Sequence, residues 1–238
     1  MTGEGDAAVI EVLSTLALRG VLTEVAADFL ARTGLAVAAG YKSTNAQLLA
    51  ISQGATADMA IITRPAIDQL VGAGKIVAGS AADIAQSGVG LAVRAGAPKP
   101  DIATVEAFKR TLLAAKSVAY IDPDAGGSSG IYVGKLLQQL GIAKEVNAKA
   151  KLIHGGAVAT HVVDGEAEIG IHQISEILAV KDAVLVGPLP AAIQNFTIYA
   201  AGVGSAAKDD ALAAAVVKFL SGAHALPIIK AKGMEPAS

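Results

Sequence analysis

The sequence predicts an α/β fold in which mainly parallel sheets are covered by helices. Strand-like and helix-like segments alternate along the chain, the order that parallel strands joined by crossover helices require. Apolar residues make up 53% of the chain and aromatic residues only 3%, so Ala, Val, Ile and Gly must build the core. Such side chains suit strands buried on both faces. With 238 residues the chain can form one large domain or two small ones.

The first strand is expected at residues 9–13, and apolar spacing marks its helix at about 18–33. A strand at 36–41 leads to a helix at 44–53. A third strand at 58–62 precedes a helix that starts near Pro65, a residue suited to the first turn. Residues 89–93 read as a strand closed by the Gly/Pro loop at 96–100. A second series then begins, with a helix at 105–115 and a strand at 116–121. Next come a Gly/Ser turn and a helix carrying Ile131, Leu136, Leu137 and Leu140, ended by Gly141. Strands follow at 150–153 and 168–171 around a helix at 157–165. Strands at 184–186 and 196–200 and a helix at 209–220 complete the series.

In such sheets ligands bind at the carboxyl ends of strands. Four loops lie there, each carrying small polar residues or glycine: Ser14-Thr15, Lys42-Ser-Thr-Asn45, Gly126-Gly-Ser-Ser-Gly130 and His154-Gly-Gly156. The Gly126–Gly130 run, between a strand and a helix, can turn several backbone N–H groups and the hydroxyls of Ser128 and Ser129 toward an anion. It does not match the GxxxxGK[ST] loop of nucleotide-binding proteins.

Other classes are excluded by composition. A net charge of −2 with no basic run argues against nucleic acid as a partner. No run of eighteen apolar residues could insert in a membrane. Without cysteine there is neither a disulfide nor a thiolate metal site. The first residues, Met1-Thr-Gly-Glu-Gly-Asp6, lack the regions of a signal peptide, so the chain is either cytoplasmic or a mature form.

Arg19 beside the first loop, Lys42 in the second and Arg64 after the third strand are candidate carboxylate-binding cations. Among the four histidines, His154 and His172 end strands where site residues belong, and imidazole suits proton transfer near neutrality. No His and carboxylate spacing suggests zinc, so neither a metal nor a cofactor is expected.

Several motifs together resemble the type II periplasmic solute-binding fold, and within it the molybdate-binding family of ABC importers. They are Ser43-Thr-Asn-Ala-Gln47, Gln53-Gly-Ala-Thr-Ala-Asp58, Asp122-Pro-Asp124 ahead of Ser129-Gly-Ile-Tyr132, and Gly165-Glu-Ala-Glu-Ile-Gly170. Ser221-Gly222, Ile228-Ile-Lys230 and Gly233 extend the likeness to the last helix. A further likeness, to the branch that includes aconitate isomerase, rests on Arg94-Ala-Gly-Ala-Pro-Lys-Pro-Asp-Ile102 and Lys109-Arg-Thr-Leu-Leu-Ala-Ala-Lys116. Ile174-Ser-Glu-Ile177 and Gly187-Pro-Leu-Pro190 add to it.

The resemblance implies two lobes with the ligand between them: residues 1–86 with 198–238, and residues 87–197. Strands 89–93 and 196–200 would be the hinge. It also implies a ligand set. The family's first-loop serine falls at Ser14 or Thr15, or on strict alignment at Ala17. Its second-loop serine matches Thr44, with Ser43 adjacent. Its backbone donor matches Ser129, its next helix start Gly155 and Gly156, and its ligand tyrosine is replaced by Gln173. The resemblance implies a monomeric periplasmic receptor for a small anion, an organic carboxylate or an oxyanion, delivering to the membrane component of an ABC importer. The alternative is an isomerase that shifts a double bond in a tricarboxylic acid, with His154 or His172 carrying the proton.

Overall fold

The computed structural model describes residues 9–237; residues 1–6, read above for a leader, lie outside them. The chain opens with β1 (Val9–Thr15), α1 (Arg19–Thr33), β2 (Ala36–Lys42), α2 (Thr44–Ser52), β3 (Met59–Thr63) and α3 (Arg64–Gly72). The long β4 (Ala82–Arg94) follows. Next come α4 (Val105–Ala114), β5 (Val118–Ile121), α5 (Ser128–Gln139), α6 (Ala143–Asn147), β6 (Ala150–Ile153), α7 (Val158–Val163) and β7 (Ile169–Gln173). The chain closes with α8 (Ile174–Leu178), β8 (Ala183–Pro188), β9 (Phe196–Val203), α9 (Asp210–Leu220), α10 (Leu226–Ala231) and β10 (Glu235–Pro236).

The strands run in the order β2-β1-β3-β9-β4-β7-β5-β6, with β8 and β10 also paired to β4. β2, β1 and β3 are parallel, as are β6, β5 and β7. Antiparallel β9 and β4 join these two trios. β4 serves both sides: Ala82 to Gly88 pair with β9, and Val89 to Arg94 pair with β7 and β8. Each side has its own core. Leu18, Val21, Ile61 and Leu220 bury under α1 and α9, and Phe108, Leu112, Leu136 and Ile171 under α4 and α5. Full burial of one such side chain stabilises the fold by roughly 1.5–3 kcal/mol.

Local chemistry starts the helices where the pattern predicts. Ser43, Thr104 and Asp209 each accept a bond from a backbone N–H of the first turn of α2, α4 and α9. Two boundaries differ from the expectation. β4 begins at Ala82 rather than residue 89, because Asp83, Gln86 and Ser87 interrupt its apolar pattern while β9 still pairs its backbone. α5 begins at Ser128, before its first apolar residue Ile131. The short α6, α8, α10 and β10 are too brief for periodicity to mark.

Where β4 changes partners, side chains complete the backbone pairing. Gln194 Oε1 accepts from the Val89 N–H at 2.9 Å, and its Nε2 donates to the Val89 carbonyl at 3.0 Å. Gln173, oriented to satisfy all its neighbours, donates to the Ser87 and Gly88 carbonyls at 3.0 and 3.2 Å. Its oxygen accepts from the hydroxyls of Thr197 at 2.9 Å and Ser128 at 3.2 Å. One buried amide therefore ties together β7, β4, β9 and the start of α5. Replacing Gln194 by Ala leaves the buried Val89 N–H without its partner. Urea unfolding should show a loss of about 1–3 kcal/mol; an unchanged midpoint would mean that this bond is not part of what holds the crossing.

Candidate functional site

The carboxyl ends of β1, β2, β5, β6 and β7 converge on one cavity of about 310 Å³. That is ligand-sized, at the lower end of the usual range. α2 and α5 start at its wall from opposite sides of the β4 crossing. Ser43 and Thr44 stand at the first start, Ser128 and Ser129 at the second. A helix N-terminus presents unpaired N–H groups and the positive end of its dipole. α5 reaches this position because it lies close on β5: a Cβ at Gly130 would come 2.5 Å from the Ile121 carbonyl oxygen.

Of the residues predicted from sequence, Thr15, Lys42, Ser43, Thr44, Ser128, Ser129, Gly155 and Gly156 line the cavity, as do His154 and His172. The Thr15 hydroxyl is buried and has no partner among the described residues. Lys42 is exposed and forms no ion pair among the described residues.

The structure puts four of the predicted residues elsewhere. Ser14 is fully buried, its hydroxyl facing the Thr15 carbonyl at 3.3 Å and its own carbonyl accepting from Gln47 at 2.9 Å. Arg19 lies over the Tyr41 ring, 5.0 Å from its centroid, and lines a separate groove with Lys232. Arg64 is held by two carboxylates, Asp68 at 3.1 Å and Asp83 at 3.0 Å, so its guanidinium is already committed. Gln173 is a buried strut at the strand crossing rather than a group on the cavity wall. The expected trio of cations reduces to Lys42.

Sequence reasoning missed Glu176; it and Tyr199, a tyrosine the sequence leaves open between core and cleft, line the deep part of the cavity beside His172. His172 Nε2 faces Glu176 Oε2 at 3.4 Å, and the pair is nearly closed to water, at 2% and 11% exposure. The signal was present: His172 and Glu176 are four residues apart, across the junction where β7 runs directly into α8. His154 differs from His172. It sits 79% exposed with Nδ1 at 3.2 Å from Asp122 Oδ2, a loosely held contact at the surface.

Burial pushes Glu176 up from 4.5 to about 8 and His172 down from 6.5 to about 3. Across neutral pH the folded pair thus carries one exchangeable proton, on the carboxyl, and no net charge. Burial, with the nearby Glu176, also raises Tyr199, so it stays a neutral donor. The cavity floor is uncharged, and the polar groups on the wall around it are mainly helix starts and hydroxyls.

The same shifts dictate a pH dependence. Between about pH 4.5 and 6.5 the unfolded chain also holds one proton on these two groups, so their contribution to stability is flat. Above 6.5 unfolded His172 loses its proton while folded Glu176 keeps its own until about 8. Stability should fall through that window by roughly 2 kcal/mol, at about 1.4 kcal/mol per pH unit. In Glu176→Gln this fall disappears. Stability should instead decline as pH drops below 6.5, where only the unfolded histidine takes up a proton. Urea unfolding of both proteins across this range isolates the pair; identical slopes above pH 6.5 would contradict the assignment.

Comparison with known proteins agrees with this architecture. Residues 10–235 match the family model described as bacterial extracellular solute-binding protein. An aconitate isomerase from Pseudomonas sp. is 34% identical over 233 residues, covering 95% of this chain and 87% of that protein. The periplasmic molybdate-binding protein of Azotobacter vinelandii superposes with a TM-score of 0.82 at 20% identity, covering 96% of this chain and all of that one. The sulfate-binding protein SubI of Mycobacterium tuberculosis H37Rv superposes with a TM-score of 0.77 at 21% identity, covering 97% of this chain and 88% of that one. The fold is the α/β periplasmic-binding-protein fold, and among the described residues no helix is long and apolar enough to cross a membrane. The chain belongs to the bacterial extracellular solute-binding protein family.

Proposed function

We propose that this protein captures a small organic polycarboxylate of the aconitate class in the cavity beside the β4 crossing, as an extracytoplasmic receptor for an ABC importer. The observation that carries this reading is the pair of helix starts, α2 and α5, meeting at one cavity with four hydroxyls between them. Backbone N–H groups and hydroxyls hold a carboxylate without a paired cation, and Lys42 at the wall adds attraction. The cavity's volume of about 310 Å³ suits a ligand with several carboxylates better than a single tetrahedral oxyanion. The 34% identity to an aconitate isomerase supports the same ligand class.

In this reading residues 1–86 with 198–238 form one lobe and residues 87–197 the other, and β4 and β9 form the hinge. Closure is driven by contacts that only the ligand can supply. The close fit of Gly126 against α2 is consistent with such a mouth. Gly126 has φ +74°, and a Cβ there would lie 2.7 Å from that of Asn45.

A second reading, an isomerase acting on the same acid, is favoured by the titratable His172–Glu176 pair on the cavity wall and by that same relative. Both readings share one test of the site. In a thermal-shift series with molybdate, sulfate, citrate, cis-aconitate and trans-aconitate, the carboxylic acids should stabilise the fold. A ligand at a hundred times its Kd adds about 2.7 kcal/mol. Thr44→Ala and Ser129→Ala should each weaken the best acid by about ten- to a hundredfold in calorimetry, the worth of a hydrogen bond to a charged group. Stabilisation by the tetrahedral oxyanions alone would refute the carboxylate reading, and unchanged affinity in both variants would refute the site.

A further inference from the structure

The His172–Glu176 pair is an unusual thing to find in a site that only needs to hold an anion. Both side chains are nearly closed to water, both line the cavity, and neither is paired with a Lys or Arg among the described residues. His172 Nδ1 has no partner among the described residues. A carboxyl at the floor of an anion site repels its ligand unless it carries a proton, so the pair must serve something besides affinity.

Resting on the isomerase reading above, we infer that Glu176 is the group that moves the proton on the ligand's carbon skeleton, and that His172 is a positioning residue that holds Glu176's own proton meanwhile. The contact at 3.4 Å between His172 Nε2 and Glu176 Oε2 lies just beyond an ordinary hydrogen bond and closes with a small rotation of either side chain. When the proton passes from Glu176 to His172, the carboxylate becomes a base facing the cavity. In an aconitate-class acid it takes a proton from the methylene carbon, and the electron pair of that C–H bond becomes a new double bond. The old double bond shifts its pair to the carbon two atoms away, which receives a proton from Glu176, whose carboxyl exchanges its proton with solvent through the cavity. The proton on His172 then returns. No oxidant, reductant or third reactant enters, and the pair has zero net charge before and after, which suits a dry floor.

The surroundings leave the pair free to do this. Besides His172 on β7, the titratable group that faces Glu176 is Tyr199 on β9, held neutral by burial. Of the elements packed on α8, β8 and the turn Leu16–Leu18 carry no titratable side chain. β4 carries Asp83, bonded to Arg64, and an exposed Arg94. His161 of α7 is bonded to Glu166.

The test follows trans-aconitate in D2O by proton NMR, with its Kd measured alongside by calorimetry. Wild type should interconvert the cis and trans acids and wash deuterium into the methylene position. Glu176→Gln should slow both by about 10²–10⁴-fold, with Kd changed less than tenfold. Glu176→Asp should retain part of the rate with a displaced pH profile, and it decides the matter if the Gln variant does not fold. His172→Gln should displace the pH profile more than it changes Kd. Wild-type turnover that survives Glu176→Gln overturns the inference, as does an Asp variant with an unmoved pH profile. So does loss of trans-aconitate binding, rather than of exchange, in a folded Gln variant. Binding by wild type with neither isomerisation nor exchange overturns it while leaving the receptor reading intact. No binding of any acid overturns both.

Discussion

β4 must pair with one set of strands at its start and another at its end, and its backbone has to be satisfied at the point of exchange. At Gly88 and Val89 the ladder with β9 stops and the ladders with β7 and β8 begin. An unpaired buried amide there would cost about 1–3 kcal/mol. The amides of Gln194 and Gln173 fill the gap. Gln173 also reaches the Ser128 hydroxyl, so the strand crossing and the start of α5 share one polar strut. The cavity takes its shape from this joint, because the loops that line it hang from strands meeting on either side of β4.

Electrostatically the site divides into a wet rim and a dry floor. Lys42 and His154 are exposed at the wall, where solvent screens electrostatic interactions. His172, Glu176 and Tyr199 lie below, where burial removes charge instead. In the proposed reading, an anion entering from the rim exchanges water for helix-start N–H groups and hydroxyls, and only its far end meets the neutral floor. That reading separates attraction at the entrance from proton chemistry at depth.

Much of this was legible in the sequence. Alternating periodicity revealed the strand–helix order, and the rule that ligands bind at strand carboxyl ends gathered the loops of Thr15, Lys42–Thr44, Ser128–Ser129 and His154–Gly156 around one cavity. Loop membership is a one-dimensional property, and it transferred. Side-chain direction did not. Arg19 and Arg64 stand at the right ends of their elements, yet one lies over Tyr41 and the other is claimed by Asp68, one helical turn along, and by Asp83, which only the folded chain brings near. Glu176 was hidden for a related reason. It lies in a five-residue helix with no cap signal, where a charged residue reads as a solvated face until α8 is seen packed on β7, β8 and α7. The first half of β4 was hidden because its polar residues are satisfied by neighbours distant in sequence, such as Arg64 for Asp83.

The central claim is that this cavity is built for an organic acid held by two helix starts over an uncharged floor. Crystals grown with equal concentrations of trans-aconitate and molybdate test it most directly. The expected result is the organic acid alone in the cavity, carboxylates against the starts of α2 and α5 and its carbon chain toward Glu176. A single heavy tetrahedral ion at the same helix starts, with no organic acid beside it, would contradict the claim.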